Sequence, residues 1–105
     1  MGDLKRHTVH MIGNAHIDSA WKWRWPESIE VCKMTFRSAL ERMNETPDFT
    51  FACSSAAHYL WMEENAPDIF DEIRDRVREG RWEIVGGWWV QPDINIPSGE
   101  AFVRQ

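Results

Sequence analysis

The chain has 105 residues, 43% of them hydrophobic and 28% charged, and its 12 basic against 17 acidic side chains leave a net charge of −5. That length suits one small domain with one core, and the acidic balance argues against a nucleic-acid binder, which needs a basic surface for phosphate. No apolar run reaches membrane-spanning length, so no membrane partner is expected.

Residues 1–6 carry no signal-peptide pattern, and Arg6 stands where a myristoylation motif needs Ser or Thr. Residues 8–12, Thr-Val-His-Met-Ile, predict a short buried strand ending at Gly13. Pro26 stands where a first helical turn would begin, and Glu27 beside it favours the positive end of the helix dipole. Ile29, Cys32, Phe36, Leu40 and Met43 then recur at spacings of three and four, which is one face of an amphipathic helix. Asn44 and Pro47 stop it.

Residues 49–53 predict a second strand. Ser54 or Ser55 is the expected cap of a helix from about Ala56 to Asn65. Pro67 starts another helix, with Ile69, Phe70, Ile73 and Val77 on its apolar side and Gly80 as its left-handed C-cap. Residues 81–85 predict a third strand, closed by Gly86 and Gly87. An irregular segment covers 88–97, and Ser98, Gly99 and Glu100 open a last helix.

Strands alternating with helices argue for an α/β architecture of parallel strands joined by helical crossovers. Three such strands leave both sheet edges open, so the chain reads as an incomplete part of a larger fold, and a homo-oligomer is expected. Cys32 and Cys53 lack the close spacing of zinc-ribbon ligands and are expected as two buried free thiols. A reducing, cytoplasmic setting follows from that expectation.

The chemistry centres on His16 and Asp18. Alternate residues of an extended segment point the same way, so an imidazole nitrogen and a carboxylate oxygen can converge on one divalent ion. The carboxyl end of a parallel strand is also where α/β folds place their sites. His7 and His10 read as structural or surface histidines, and His58, inside the second helix, has no assigned role. Seven tryptophans include the clusters Trp21, Trp23, Trp25 and Trp88, Trp89, which either fill a core or stack on sugar rings. Asp93 is either a turn residue after Pro92 or a substrate-binding carboxylate.

Residues 13–23, Gly-Asn-Ala-His-Ile-Asp-Ser-Ala-Trp-Lys-Trp, closely resemble the opening motif of glycoside hydrolase family 38 α-mannosidases. Residues 80–90, followed by Pro92, Asp93, Pro97, Ser98, Gly99, Glu100, Arg104 and Gln105, are similar to the family's next signature block, and Ser54, Ser55, Ala56, Tyr59 and Trp61 also fit. The resemblance implies that residues 1–105 are the N-terminal part of the catalytic domain, a seven-stranded β/α barrel. It implies metal-dependent, retaining hydrolysis of terminal α-D-mannosides in oligosaccharides or glycans.

On that resemblance His16 and Asp18 match two ligands of a divalent ion, zinc being expected, and Trp21 matches the wall of the terminal mannose subsite. Asp93 is carried as a substrate-binding residue. No catalytic residue is expected within the chain, because the nucleophile and the acid/base carboxyl group fall after Gln105 on the family pattern. Ser19 and Gln91 depart from many relatives, which carry an apolar residue or proline and a glutamate there. Three rival readings are a metal-dependent polysaccharide deacetylase, a carbohydrate-binding module, and an inactive, self-associating folding unit.

Overall fold

The computed structural model describes residues 6–91 and 95–104. Proline at the start of a helix lacks only an N–H that would have no intrahelical partner, and α1 (Trp25–Glu45) accordingly opens around Pro26, with Glu27 in its first turn. The apolar stripe lands inward: Ile29, Cys32, Phe36, Leu40 and Met43 are all buried. Helix α2 (Ala56–Asn65) and helix α3 (Pro67–Arg78) follow, with Ile69 and Ile73 buried, while Val77 is more than a third exposed at the rim. Helix α4 (Gly99–Arg104) comes last.

The end of α3 shows why Gly80 stands there. Its φ is +76°, a left-handed conformation that a side chain disfavours. This turn lets Gly80 N–H reach the Val77 carbonyl and Arg81 N–H reach the Arg76 carbonyl, both at 3.0 Å, the two bonds of a Schellman cap. Arg81 is thereby delivered to the end of α1, where its guanidinium donates to the carbonyls of Met43 and Thr46, each at 2.8 Å.

Among the described residues the sheet has three parallel strands in the order β1 (Asn14–Ala15), β2 (Phe51–Cys53), β3 (Trp82–Ile84). Asn14 pairs with Ala52 and Ala15 with Cys53, while Phe51, Ala52 and Cys53 pair with Trp82, Glu83 and Ile84. The α/β class and parallel pairing agree with the sequence expectation.

The first strand does not lie where expected. Residues 8–12 form no strand, and Val9, Met11 and Ile12 are 79%, 91% and 77% exposed. Continuing the ladder's register sets Ile12 opposite Thr50, which lies outside β2, so the paired ladder stops short of the apolar run. Composition favours a strand only where a neighbour supplies hydrogen bonds.

One core joins the helices to the sheet. Phe36 stacks on Tyr59 at 5.6 Å and meets Trp82 edge-on at 5.3 Å. Both cysteines are free and buried, as expected. Burial pushes the Cys32 thiol up to about 12, with Cys53 adding in the same direction, and Cys53 itself up to about 11. Among the described residues no helix is long and apolar enough to cross a membrane.

Candidate functional site

The chain leaves β1 at Ala15, so His16 and Asp18 lie just past the strand rather than within it. They converge all the same: His16 Nε2 is 3.0 Å from Asp18 Oδ1, and the two side chains are about half exposed. Two ligands of one tetrahedral ion, each about 2.0–2.2 Å from it, stand roughly 3.3 Å apart. The donor types and their separation therefore fit a shared divalent ion. No group of three or more His, Cys, Asp or Glu is assembled among the described residues, so a full set needs donors from elsewhere.

The backbone carrying Asp18 is tied to α1. Ser28, wholly buried on the first turns of that helix, shares its one hydroxyl proton between the carbonyls of Asp18 at 3.0 Å and Ser19 at 2.8 Å. The Trp23 indole N–H in turn donates to Ser28 Oγ at 2.9 Å and approaches the Asp18 carbonyl at 3.3 Å. Ties of this kind restrict where the Asp18 carboxylate can point.

A second tie runs to α2. Ser19 Oγ is hydrogen-bonded to His58 Nε2 at 2.9 Å, and His58 is buried. Burial pulls its imidazole below the ordinary value and His16 adds to that, against the opposing pull of the Ser54 backbone. His58 Nδ1 is buried without a hydrogen-bond partner among the described residues. No local pattern marks His58; its partner is 39 positions away.

Ser55 occupies the cap position of α2 but its side chain does not cap, and its φ is +82°. The first helical N–H groups go instead to the irregular segment: Ala56 donates to the Trp88 carbonyl at 3.1 Å and Ala57 to the Trp89 carbonyl at 3.0 Å. The expected serine cap is thus replaced by backbone arriving from beyond β3.

Two cavities flank Asp18. One of about 360 Å³ is lined by His16, Asp18, Trp23, Glu27 and Val31 with Ile17. The other, about 500 Å³, includes Asp18, Ser19, Trp25, Trp61, Trp89 and Gln91 in its wall. Trp21 lines neither. It is 67% exposed, edge-on to Trp23 at 5.8 Å, with Lys22 Nζ 4.8 Å from its ring centre. Asp93 lies outside the described residues. His7 and His10 are exposed, away from the buried core.

Residues 6–105 match the family described as the glycosyl hydrolases family 38 N-terminal domain. Alpha-mannosidase 2C1 of Homo sapiens is 40% identical over 104 residues, which is 99% of this chain and 10% of that protein. Alpha-mannosidase G of Dictyostelium discoideum is 38% identical over 97 residues, 92% of this chain and 9% of its own length. An alpha-mannosidase of Saccharomyces cerevisiae is 36% identical over 98 residues, again 92% of this chain and 9% of its own. The chain spans about a tenth of the length of these relatives.

Proposed function

The chain belongs to glycosyl hydrolase family 38 through its N-terminal domain, and from that premise we propose that it supplies part of the sugar pocket of a metal-dependent, retaining α-mannosidase. The observation that carries this reading is the 3.0 Å approach of His16 Nε2 to Asp18 Oδ1 beside a tryptophan-walled cleft. The substrate class is a terminal α-D-mannoside of an oligosaccharide or glycan. The relatives' names support the mannoside.

His16 and Asp18 would hold a divalent ion, with zinc the first candidate from its affinity for imidazole and carboxylate donors. Such an ion orients and polarises sugar hydroxyls. The chain's own residues fix the geometry: Ser28 and Trp23 hold the Asp18 backbone, and the indoles around Asp18 exclude water and offer apolar surface to pyranose C–H faces. Retention requires two carboxyl groups about 5–5.5 Å apart, one as nucleophile and one as acid then base. This reading assigns both to protein outside the 105 residues, within a seven-stranded β/α barrel that these three parallel strands begin. Cytoplasmic residence completes it, supported by two buried free thiols.

Zinc titration of the whole polypeptide by calorimetry tests the ligand pair, because residues 6–91 and 95–104 alone assemble no third donor. Removing a metal-holding group should cost at least about 10-fold in affinity for His16→Ala and for Asp18→Ala. In the whole polypeptide carrying these residues, the same changes should abolish mannose release from an aryl α-mannoside. Undiminished zinc binding and turnover in both variants, or release of acetate from an acetylated glycan in place of mannose, would overturn the assignment.

A further inference from the structure

His58 is a poor choice for stability in the place it occupies. It stands in the first turn of α2 with 1% of its surface exposed, and its Nδ1 has no hydrogen-bond partner among the described residues. An apolar side chain there would pack without leaving a polar atom unpaired. The ring is nonetheless set against its surroundings, 5.4 Å centre to centre from the indole of Trp61. Departures of this kind from the most stable choice gather where a residue serves a site.

The polar contact that the ring does make is with Ser19 Oγ, 2.9 Å from Nε2. Ser19 directly follows Asp18, and the two carbonyls share the Ser28 hydroxyl proton. Ser19 is therefore gripped twice, by α1 through its carbonyl and by α2 through its hydroxyl. The backbone turns only about φ and ψ, so fixing Ser19 on two sides restricts the peptide that joins it to Asp18. Without the bond to His58, that peptide is held from α1 alone.

We propose that His58 is a positioning residue of the metal site, which acts through Ser19 to fix the backbone from which Asp18 presents its carboxylate. The proposal rests on the reading of His16 and Asp18 as ligands given above.

Zinc affinity of the whole polypeptide, measured by competition with a chromogenic chelator, tests this. Partners that orient metal ligands typically account for about 10–100-fold in affinity, and a residue acting one bond further out belongs at the lower end. Ser19→Ala and His58→Phe should each weaken zinc by about 10-fold. Both cut the same bond, so the double variant should also lose about 10-fold, where independent effects would multiply to about 100-fold. His58→Gln, whose amide can meet Ser19 in place of Nε2, should restore most of the affinity. Tyr59→Phe disturbs the same core without touching Ser19, and should lower the melting temperature while leaving zinc binding within about two-fold. Ser19→Ala carries the test if His58→Phe does not fold. Zinc binding that falls with His16→Ala but not with Ser19→Ala, or losses that multiply in the double variant, would overturn the positioning role and leave the ligand reading standing. Zinc binding untouched by His16→Ala would overturn both.

Discussion

The indole N–H of Trp82 donates to the hydroxyl of Tyr59 at 3.0 Å, deep in the core between α2 and β3. That hydroxyl donates onward to the Cys53 carbonyl at 2.8 Å, so one oxygen links a helix to two strands. Tyr59→Phe keeps the ring and its stack on Phe36 but orphans the buried indole N–H. The expected loss is about 1–3 kcal/mol. At about 4–8 °C per kcal/mol for a domain of this size, melting measured by circular dichroism should fall visibly. An unchanged midpoint would mean that the indole finds another acceptor.

Gly80 and Gly13 make a matched pair. A methyl group at either meets nothing within 4 Å, yet only Gly80 has positive φ, +76°. Gly80→Ala should therefore cost about 1–2 kcal/mol through backbone conformation alone. Gly13→Ala should stay within about 0.5 kcal/mol. Urea unfolding of the two variants separates backbone strain from steric clash, and equal losses would refute the conformational explanation.

The helices were largely legible from spacing, and the reason is local. Ile29, Cys32, Phe36, Leu40 and Met43 share a stripe whatever they pack against, and Gly80 can end a helix by itself. The sheet was less legible, because a strand of two residues such as Asn14 and Ala15 is defined by its neighbour's ladder and not by its own composition. Residues 8–12 look more strand-like and are not one. Within the site, the convergence of His16 and Asp18 was legible from their two-residue spacing. The Ser19 bond to His58 and the carbonyl caps on α2 were not, since each joins segments more than thirty residues apart.

Trp21 and Trp82 should behave as opposites. Trp21 is 67% exposed and Trp82 is 1% exposed. Trp82→Ala should cost about 3–5 kcal/mol through the cavity it leaves. Trp21→Ala should move stability by no more than about 0.5 kcal/mol while weakening mannoside turnover in the whole polypeptide. Turnover that merely tracks the folded fraction of the Trp21 variant would remove this residue from the sugar site.

The thiols predict an alkaline weakness. Cys32 is raised to about 12 and Cys53 to about 11, so the folded chain keeps protons that an unfolded thiol releases at its ordinary value. Their contribution to stability is fully present below that ordinary value and is lost as pH rises through it towards the folded values. Urea midpoints should decline above roughly pH 8.5, and Cys32→Ala with Cys53→Ala should flatten that decline. Disulfide-exchange reagents should label both sulfurs only as the chain opens.

The carbonyls of Trp88 and Trp89 that close the start of α2 make the amides of Ala56 and Ala57 a gauge of the segment after β3. Neither amide has a helical acceptor of its own, so each exchanges with solvent deuterium at the rate at which that segment lets go. A sugar seated against Trp89 should slow exchange at these two positions while leaving the interior of α3 unaffected. The occupancy of the cleft would then be readable, residue by residue, from two alanines that need not touch the ligand.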